Sequence, residues 1–285
     1  MRFGFQVKID RGFKAALKYA LELGCECIQT LIASPLSWKI SAQPNEFKHY
    51  VEELRLNEIF PIAIHAPYLL NLSSPEDDIY NKSILLLCDH LLYAEEAGVD
   101  FVIVHAGSHK GAGAAFGMER LTSALRRICE WHKGKTMILV ENTPGAGGNI
   151  CSSIEDLELL LREVDKDKIG ICLDTCHLFA YGYDLSSPEK VKALSEEVES
   201  KIGSSVKLLH LNDCRTPLGS KVDRHESLGK GMIGLRGIRA IISDPFFSRL
   251  PAIMETPYDP DEDKYNITLA KRLRMESNLN GGESV

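Results

Sequence analysis

The sequence contains no apolar run long enough to cross a membrane, and charged residues interrupt its first twenty positions every few residues. That pattern is unlike a signal peptide, which needs an uninterrupted apolar segment. The sequence also lacks an excess of positive charge, because 33 lysines and arginines face 40 aspartates and glutamates, giving a formal net charge of −7. This charge argues against a protein that coats nucleic acid nonspecifically. We therefore expect a cytoplasmic protein with no membrane partner.

Cysteine pairs with the spacing of a structural zinc site are also missing. The eight cysteines are scattered over 285 residues, and neither Cys25 with Cys27 nor Cys172 with Cys176 has zinc-knuckle spacing. In a long chain without a secretion signal, thiols are expected to be reduced. Free cysteines are most often buried packing residues. We therefore assign these eight no chemical role.

Short apolar runs alternate with longer amphipathic segments along the whole chain. Eight runs have the length of buried strands: Phe3–Val7, Cys27–Ile32, Pro61–His65, Phe101–His105, Met137–Glu141, Ile169–Asp174, Val206–His210 and Ala252–Glu255. Helical patterns cover Phe13–Leu23, Asp77–Ala97, Met118–His132, Ile154–Val164 and Pro188–Ser200, the first two ending at Gly24 and Gly98. Eight strand–helix units predict an α/β fold with a single (β/α)8 TIM barrel over residues 1–277 and a flexible C-terminal tail over 278–285. A doubly wound open sheet is the alternative, and the glycine-rich segment 213–234 is predicted to be an active-site loop.

Histidines and carboxylates recur where these apolar runs end. Five histidines and four carboxylates form this set: His65, His105, Glu141, Asp174, His177, His210, Asp223, His225 and Glu255. Because the C-terminal ends of barrel strands share one face, we expect these side chains to converge there as a metal site. Nitrogen and oxygen ligands suit zinc, manganese or iron in a hydrolytic site. Nine ligands are too many for one ion and fit two or three.

The motifs around these residues resemble those of the endonuclease IV family of apurinic/apyrimidinic endonucleases over nearly the whole chain. The motifs are HAPYLLNL, ENTPGAGG, GICLDTCH, HLNDCRTPLGSKVDRHESLGKGMIG and METP. The resemblance implies three zinc ions, with Mn²⁺ or another divalent metal acceptable at one site. One zinc would bind His65, His105 and Glu141. A second would bind Glu141, Asp174, His210 and Glu255, and the third His177, Asp223 and His225.

The same resemblance implies a deoxyribonuclease IV-type hydrolase of base excision repair, acting as a monomer on duplex DNA. A metal-held hydroxide would cut 5′ to an extruded abasic nucleotide, leaving a 3′-hydroxyl and a 5′-deoxyribose phosphate. Trimming of 3′-blocked ends is expected as well. Glu141, Asp174 and Glu255 would be the catalytic carboxylates, and Tyr68 and Leu69 match residues that wedge into the duplex.

Other residues complete the expected site. Arg224 and Lys230 are predicted to bind DNA phosphates, and His109 is predicted to support a metal ligand. Two departures from the family pattern bear on DNA binding: Gln6 replaces a usual histidine, and Leu36 stands where we would look for an arginine. The alternative function is a metal-dependent sugar isomerase or epimerase on a xylose isomerase-like barrel. That reaction would leave the ligands of a third metal without a role.

Overall fold

A computed structural model describes residues 1–281 of the chain. Eight parallel strands close into a barrel: β1 (Phe3–Gln6), β2 (Cys27–Thr30), β3 (Ile62–His65), β4 (Phe101–His105), β5 (Met137–Glu141), β6 (Ile169–Asp174), β7 (Val206–His210) and β10 (Ala252–Met254). Each strand pairs with its neighbour in sequence, and β1 closes the ring against β10. A separate two-stranded hairpin pairs β8 (Asp213–Cys214) with β9 (His225–Glu226) inside the glycine-rich segment. The predicted TIM barrel is confirmed, and the open-sheet alternative is wrong.

Helices surround the barrel and connect its strands. They are α1 (Phe13–Leu23), α2 (Pro44–Leu56), α3 (Asp77–Ala97), α4 (Ala114–Trp131), α5 (Ile154–Glu163), α6 (Thr175–Tyr181), α7 (Pro188–Ile202), α8 (Gly234–Ser243) and α9 (Pro260–Gly281). Helices α1 and α3 end where the sequence predicts. Gly24 and Gly98 follow them at φ of 69° and 76°, a left-handed conformation that glycine adopts without steric cost.

Four helices were not predicted from the sequence: α2, α6, α8 and α9. Helix α9 extends to Gly281, so residues 278–281, which we predicted as the start of a flexible tail, are helical. The rest of the predicted tail lies outside the described residues. Within residues 1–281, none of the helices has both the length and the apolar content that a bilayer crossing requires.

The barrel interior is built in layers, because side chains two positions apart on a strand point to the same side. Seven strands contribute one buried apolar residue each to an inner layer: Cys27, Ala63, Ile103, Leu139, Cys172, Leu208 and Ile253. The residues two positions further on form the next layer toward the C-terminal mouth: Gln29, His65, His105, Glu141, Asp174, His210 and Glu255. Gln6 of β1, which is in register with Gln29, completes this layer. The fold therefore brings six of the nine predicted ligands to one level of the barrel.

Candidate metal centre

Among the described residues, four groups of His, Cys, Asp and Glu have donor atoms within 4.8 Å of one another. Three of these clusters contain all nine predicted ligands, and the fourth joins Asp174 and His225 to Cys176. The first cluster contains His65, His105 and Glu141. The second contains Glu141, Asp174, His210 and Glu255. The third contains His177, Asp223 and His225. These are the same three groups that the sequence motifs imply, and Glu141 belongs to two of them.

Glu141 is the centre of the arrangement. Its carboxylate is fully buried at the end of β5. One oxygen lies 3.0 Å from His65 Nε2 and 3.5 Å from His105 Nε2. The other lies 3.0 Å from His210 Nδ1 and 3.3 Å from His177 Nδ1. A carboxylate with one oxygen toward each of two histidine groups has the geometry of a bridging ligand.

Three imidazole nitrogens in these clusters test whether the site fits metal ions. The Nε2 atoms of His105, His177 and His225 are buried and make no hydrogen bond to any residue that the structure describes. A buried polar atom without a partner costs roughly 1–3 kcal/mol, so such atoms are rare in native proteins. The three nitrogens face carboxylates, as metal-binding imidazoles do. The donor set therefore fits divalent metal ions.

The burial of the carboxylates also fits a site for divalent metal ions. The side chains of Glu141 and Asp174 are fully buried, and that of Glu255 is 5% exposed. Within residues 1–281, every ion-pair partner of these carboxylates and of Asp223 is a histidine. Buried carboxylates require compensating positive charge. Histidines supply that charge only when they are protonated, whereas metal ions supply it with neutral histidines as ligands.

The pKa values show how burial and neighbouring charges act on the candidate ligands. Burial raises the pKa of Glu141, but the surrounding histidines, His105 and His210 first, outweigh burial and hold that pKa well below its ordinary range. Burial lowers the pKa of His105 to about 4, so this ring is neutral at pH 7. Burial also lowers the pKa of His177, but Asp174 and its other acidic neighbours raise it well above the ordinary value.

Two asparagines hold the ligands in place, and sequence reasoning missed both. Asn142 Oδ1 accepts a 2.6 Å hydrogen bond from the backbone N–H of Asp174. The backbone carbonyl oxygen of Asn142 accepts a hydrogen bond from His177 Nδ1 at 2.9 Å. Asn212 Nδ2 donates to Asp174 Oδ2 at 2.6 Å, and Asn212 Oδ1 accepts from the Glu255 backbone at 2.8 Å. Such outer contacts fix ring orientation and tautomer. The sequence feature that could have identified them is their position, one or two residues after a predicted ligand.

The glycine-rich segment 213–234 is organised by Asp213, another residue that the sequence reading missed. The buried Asp213 carboxylate accepts backbone hydrogen bonds from Gly229, Gly231 and Ile233, each at 3.0 Å. These bonds fold the segment back on itself. The segment thereby places Asp223 and His225 over the barrel mouth, where His225 Nε2 lies 3.2 Å from Asp223 Oδ1.

A groove of about 760 Å³ opens beside the clusters. The side chains that line it include Tyr68, Leu69, His105, Asp223 and Arg224. Lys221, a cation of the predicted active-site loop, also lines it, as does Lys110, which sequence reasoning did not assign to the site. Tyr68 is 51% exposed, and its ring stacks on His105 with centroids 5.2 Å apart. Leu69 is partly buried against the core. The groove thus combines an aromatic lip with three cations next to the candidate ligands.

Two predicted site residues, Lys230 and His109, are not among the residues that line this groove, and neither is Leu36, which departs from the family pattern. Lys230 does not line it, because its ammonium pairs with Glu262 at 2.6 Å and 2.7 Å and lies over the Tyr265 ring. His109 makes no hydrogen bond to the nine ligand side chains within residues 1–281. Its Nδ1 accepts from the backbones of Gly111 and Gly113, each at 3.1 Å, so it holds the loop before α4. Leu36 is 83% exposed on the loop after β2.

Comparison with known proteins agrees with this geometry. A family model described as a xylose isomerase-like TIM barrel matches residues 17–274. A probable endonuclease 4 of Carboxydothermus hydrogenoformans is 37% identical over 280 residues, which is 97% of each chain. A probable endonuclease 4 of Aquifex aeolicus is 34% identical over 280 residues, covering 97% of this chain and 99% of the relative.

Similarity to solved structures distinguishes membership of the same family from a shared fold alone. Endonuclease IV from Thermus thermophilus superposes with a TM-score of 0.83 at 32% identity, covering 97% of this chain and all of the other. A D-tagatose 3-epimerase-like protein superposes with a TM-score of 0.76 at 18% identity, covering 98% and 99%, which shows a shared fold alone. With these matches over nearly its full length, the chain belongs to the endonuclease IV family of hydrolases, on a xylose isomerase-like TIM barrel.

Proposed function

We propose that this protein is a metal-dependent endonuclease of base excision repair, which cleaves duplex DNA on the 5′ side of an abasic site. The observation that carries the proposal is that nine side chains with nitrogen or oxygen ligand atoms converge in three clusters beside an open groove. Membership of the endonuclease IV family supports the same reaction. The products would be a 3′-hydroxyl and a 5′-deoxyribose phosphate, and the exposed groove would also admit a 3′-blocked end.

The three clusters would hold three divalent ions, with zinc best suited to their histidine and carboxylate ligands. When bound, such ions supply an activated water for attack on the phosphodiester and neutralise charge on the leaving oxygen. The chain's own contribution is to orient the ligands. Asn142 and Asn212 set the direction of Asp174, and Glu141 joins the first and second clusters.

The groove fits a distorted duplex. Tyr68 stands half-exposed at its lip with its ring backed by His105, which is the placement of a residue that stacks on an unpaired base or fills its vacancy. Leu69, next in sequence, would add apolar contact. Arg224 projects into the same groove and would bind a phosphate of the backbone, together with Lys110 and Lys221.

The sugar isomerase alternative explains less of the site. Epimerases share the barrel with this chain, but only at the level of fold. A sugar epimerase on such a barrel would use two metals or fewer. The third cluster, with its two unpartnered Nε2 atoms on His177 and His225, would then serve no purpose.

Purification without chelator, followed by elemental analysis and one cleavage assay, tests the proposed function. We expect close to three metal ions per chain, mainly zinc, and a single incision 5′ to the lesion in a duplex with one abasic site. An undamaged duplex of the same sequence is the control. One metal or none per chain, or activity on a ketose in place of DNA, would overturn the proposal.

Salt dependence tests the DNA contacts. Arg224→Gln is expected to weaken binding to an abasic duplex and to reduce the slope of log affinity against log salt by about one. Lys230→Gln should weaken binding less, because Glu262 already neutralises that ammonium. Binding is measured by fluorescence anisotropy between 50 and 200 mM salt, roughly the range over which such slopes are resolved. A larger effect from Lys230→Gln would instead place the duplex against α9.

A further inference from the structure

Two glutamines share a barrel layer with six of the candidate ligands. Gln6 of β1 and Gln29 of β2 occupy the positions at which the other six strands carry a histidine or a carboxylate, or, for β10, are followed by one. Gln29 has no exposed surface. A buried side-chain amide must place two N–H donors and one carbonyl acceptor in hydrogen bonds, since each unmet group is costly. The partners of Gln29 therefore define what it does.

All three partners of Gln29 lie within the layer. Its Oε1 accepts from His210 Nε2 at 2.8 Å. Its Nε2 donates to Glu255 Oε1 at 2.6 Å and to Gln6 Oε1 at 2.7 Å. The amide thus connects β2 to two residues of the second cluster, and Gln6 Oε1 accepts the hydrogen bond from its remaining N–H.

The chemistry of these partners fixes the orientation of the amide. An ionised Glu255 carboxylate and the Gln6 carbonyl accept hydrogen bonds and cannot donate them. The Gln29 NH₂ group must therefore face them, which leaves only its oxygen to face His210. Because that oxygen is solely an acceptor, His210 must carry a proton on Nε2. His210 Nδ1 is then the nitrogen that points to Glu141, 3.0 Å away.

The hydrogen bond from Gln29 Nε2 gives the two carboxylate oxygens of Glu255 different partners. Oε1 is taken up by Gln29, whereas Oε2 lies 3.2 Å from His210 Nδ1 and faces the second cluster. The neutral amide achieves this without adding a fifth negative charge beside Glu141, Asp174, Asp223 and Glu255. A carboxylate at position 29 would meet Glu255 with like charge at hydrogen-bond distance.

We propose that Gln29, held in turn by Gln6, is the positioning residue of the second cluster. It sets the tautomer of His210 and presents Glu255 to a metal ion through Oε2. Gln29 itself belongs to none of the donor clusters. This inference rests on the metal centre proposed above, and it assigns a role to the two positions of the layer that carry no ligand.

Replacing Gln29 by methionine, which keeps its length and removes its hydrogen bonds, tests the role. Gln29→Met is expected to lower the affinity for one metal ion by about 10–100-fold, as is typical for loss of an outer-shell partner. Gln6→Met should have a smaller effect of the same kind, because it frees only one N–H of Gln29. Affinity is measured by chelator competition, and thermal unfolding of the chelated protein reports on the fold separately.

Ser195→Ala is the matched control. It removes a buried 2.7 Å hydrogen bond from Ser195 of α7 to Asp244, which directly follows α8 and takes no part in the three clusters. It should lower the melting temperature and leave metal affinity unchanged. Wild-type affinity for all metals in both Gln29→Met and Gln6→Met, or an equal loss in Ser195→Ala, would overturn the inference while the metal centre stands.

Two further results have a defined meaning. Failure of the wild-type protein to retain metal would overturn the proposed function and this inference with it. If Gln29→Met does not fold, Gln6→Met decides, because Gln6 is only partly buried and its loss removes one of the hydrogen bonds that hold the Gln29 amide in place. A smaller loss of metal affinity in that variant supports the inference, and wild-type affinity overturns it.

Discussion

Glu141→Gln is expected to reduce turnover on an abasic duplex by roughly two to four orders of magnitude, with duplex affinity changed far less. Glutamine keeps the size of the side chain, so the barrel should stay folded. It removes the negative charge that four histidines surround and that two clusters share. The loss should therefore fall on the chemical step, seen as a drop in the single-turnover rate at saturating enzyme.

A second buried carboxylate supplies the control for that experiment. Asp244 is 6% exposed, accepts from Ser195, and has no part in the three clusters. Asp244→Asn makes the same chemical change away from the barrel mouth. It should reduce stability and leave the single-turnover rate near the wild-type value. Unchanged turnover in Glu141→Gln would exclude its role as a bridging ligand.

Removal of metal is expected to cost the protein both stability and most of its affinity for an abasic duplex. Ligands that bind only the folded state stabilise it by about 4 kcal/mol at a thousandfold excess over their dissociation constant. Metal-free protein should therefore melt at a lower temperature, and zinc should restore it. The clustered carboxylates are otherwise compensated only by protonated histidines, among the described residues.

The loss of DNA affinity follows from charge. The chain carries a formal net charge of −7, which repels a polyanion. Three divalent ions would bring it to about −1 and would concentrate positive charge at the barrel mouth. The measurement compares chelated and zinc-reloaded protein at one salt concentration, with the zinc-saturated chelator as control. Equal affinities would show that groove cations such as Arg224 and Lys221 carry the binding without metal.

The sequence by itself determined the barrel and the set of candidate ligands. Strand-length apolar runs could be counted, and every predicted barrel strand except β2 begins and ends within about one residue of its observed bounds. Local rules govern these features: an apolar run forms a buried strand, and Gly24 and Gly98 end helices because they adopt positive φ. His65, Glu141 and His210 end their strands and so had to face one mouth.

Helices whose local sequence pattern is weakly helical could not be predicted from the sequence. Helix α6 is only seven residues long, and its first turn is bonded to Asp174, a residue we read as a ligand alone. Helix α9 mixes charged residues with the few apolar ones, Ile267 and Leu273 among them, that pack on the core. In both helices, tertiary contacts supply stability that cannot be predicted from the local sequence pattern.

Only the tertiary structure decided which side chains touch. Lys230 and Arg224 lie six residues apart in one loop, yet Lys230 pairs with Glu262 and Arg224 lines the groove. His109 looked like a partner of the ligands and instead holds its own loop. Gln29, to which the sequence analysis assigned no role, lies within the apolar run Cys27–Ile32 and bonds His210, 181 residues away. Sequence spacing encodes the period of an element, whereas contacts across a closed barrel depend on register and stagger, which all eight strands set together.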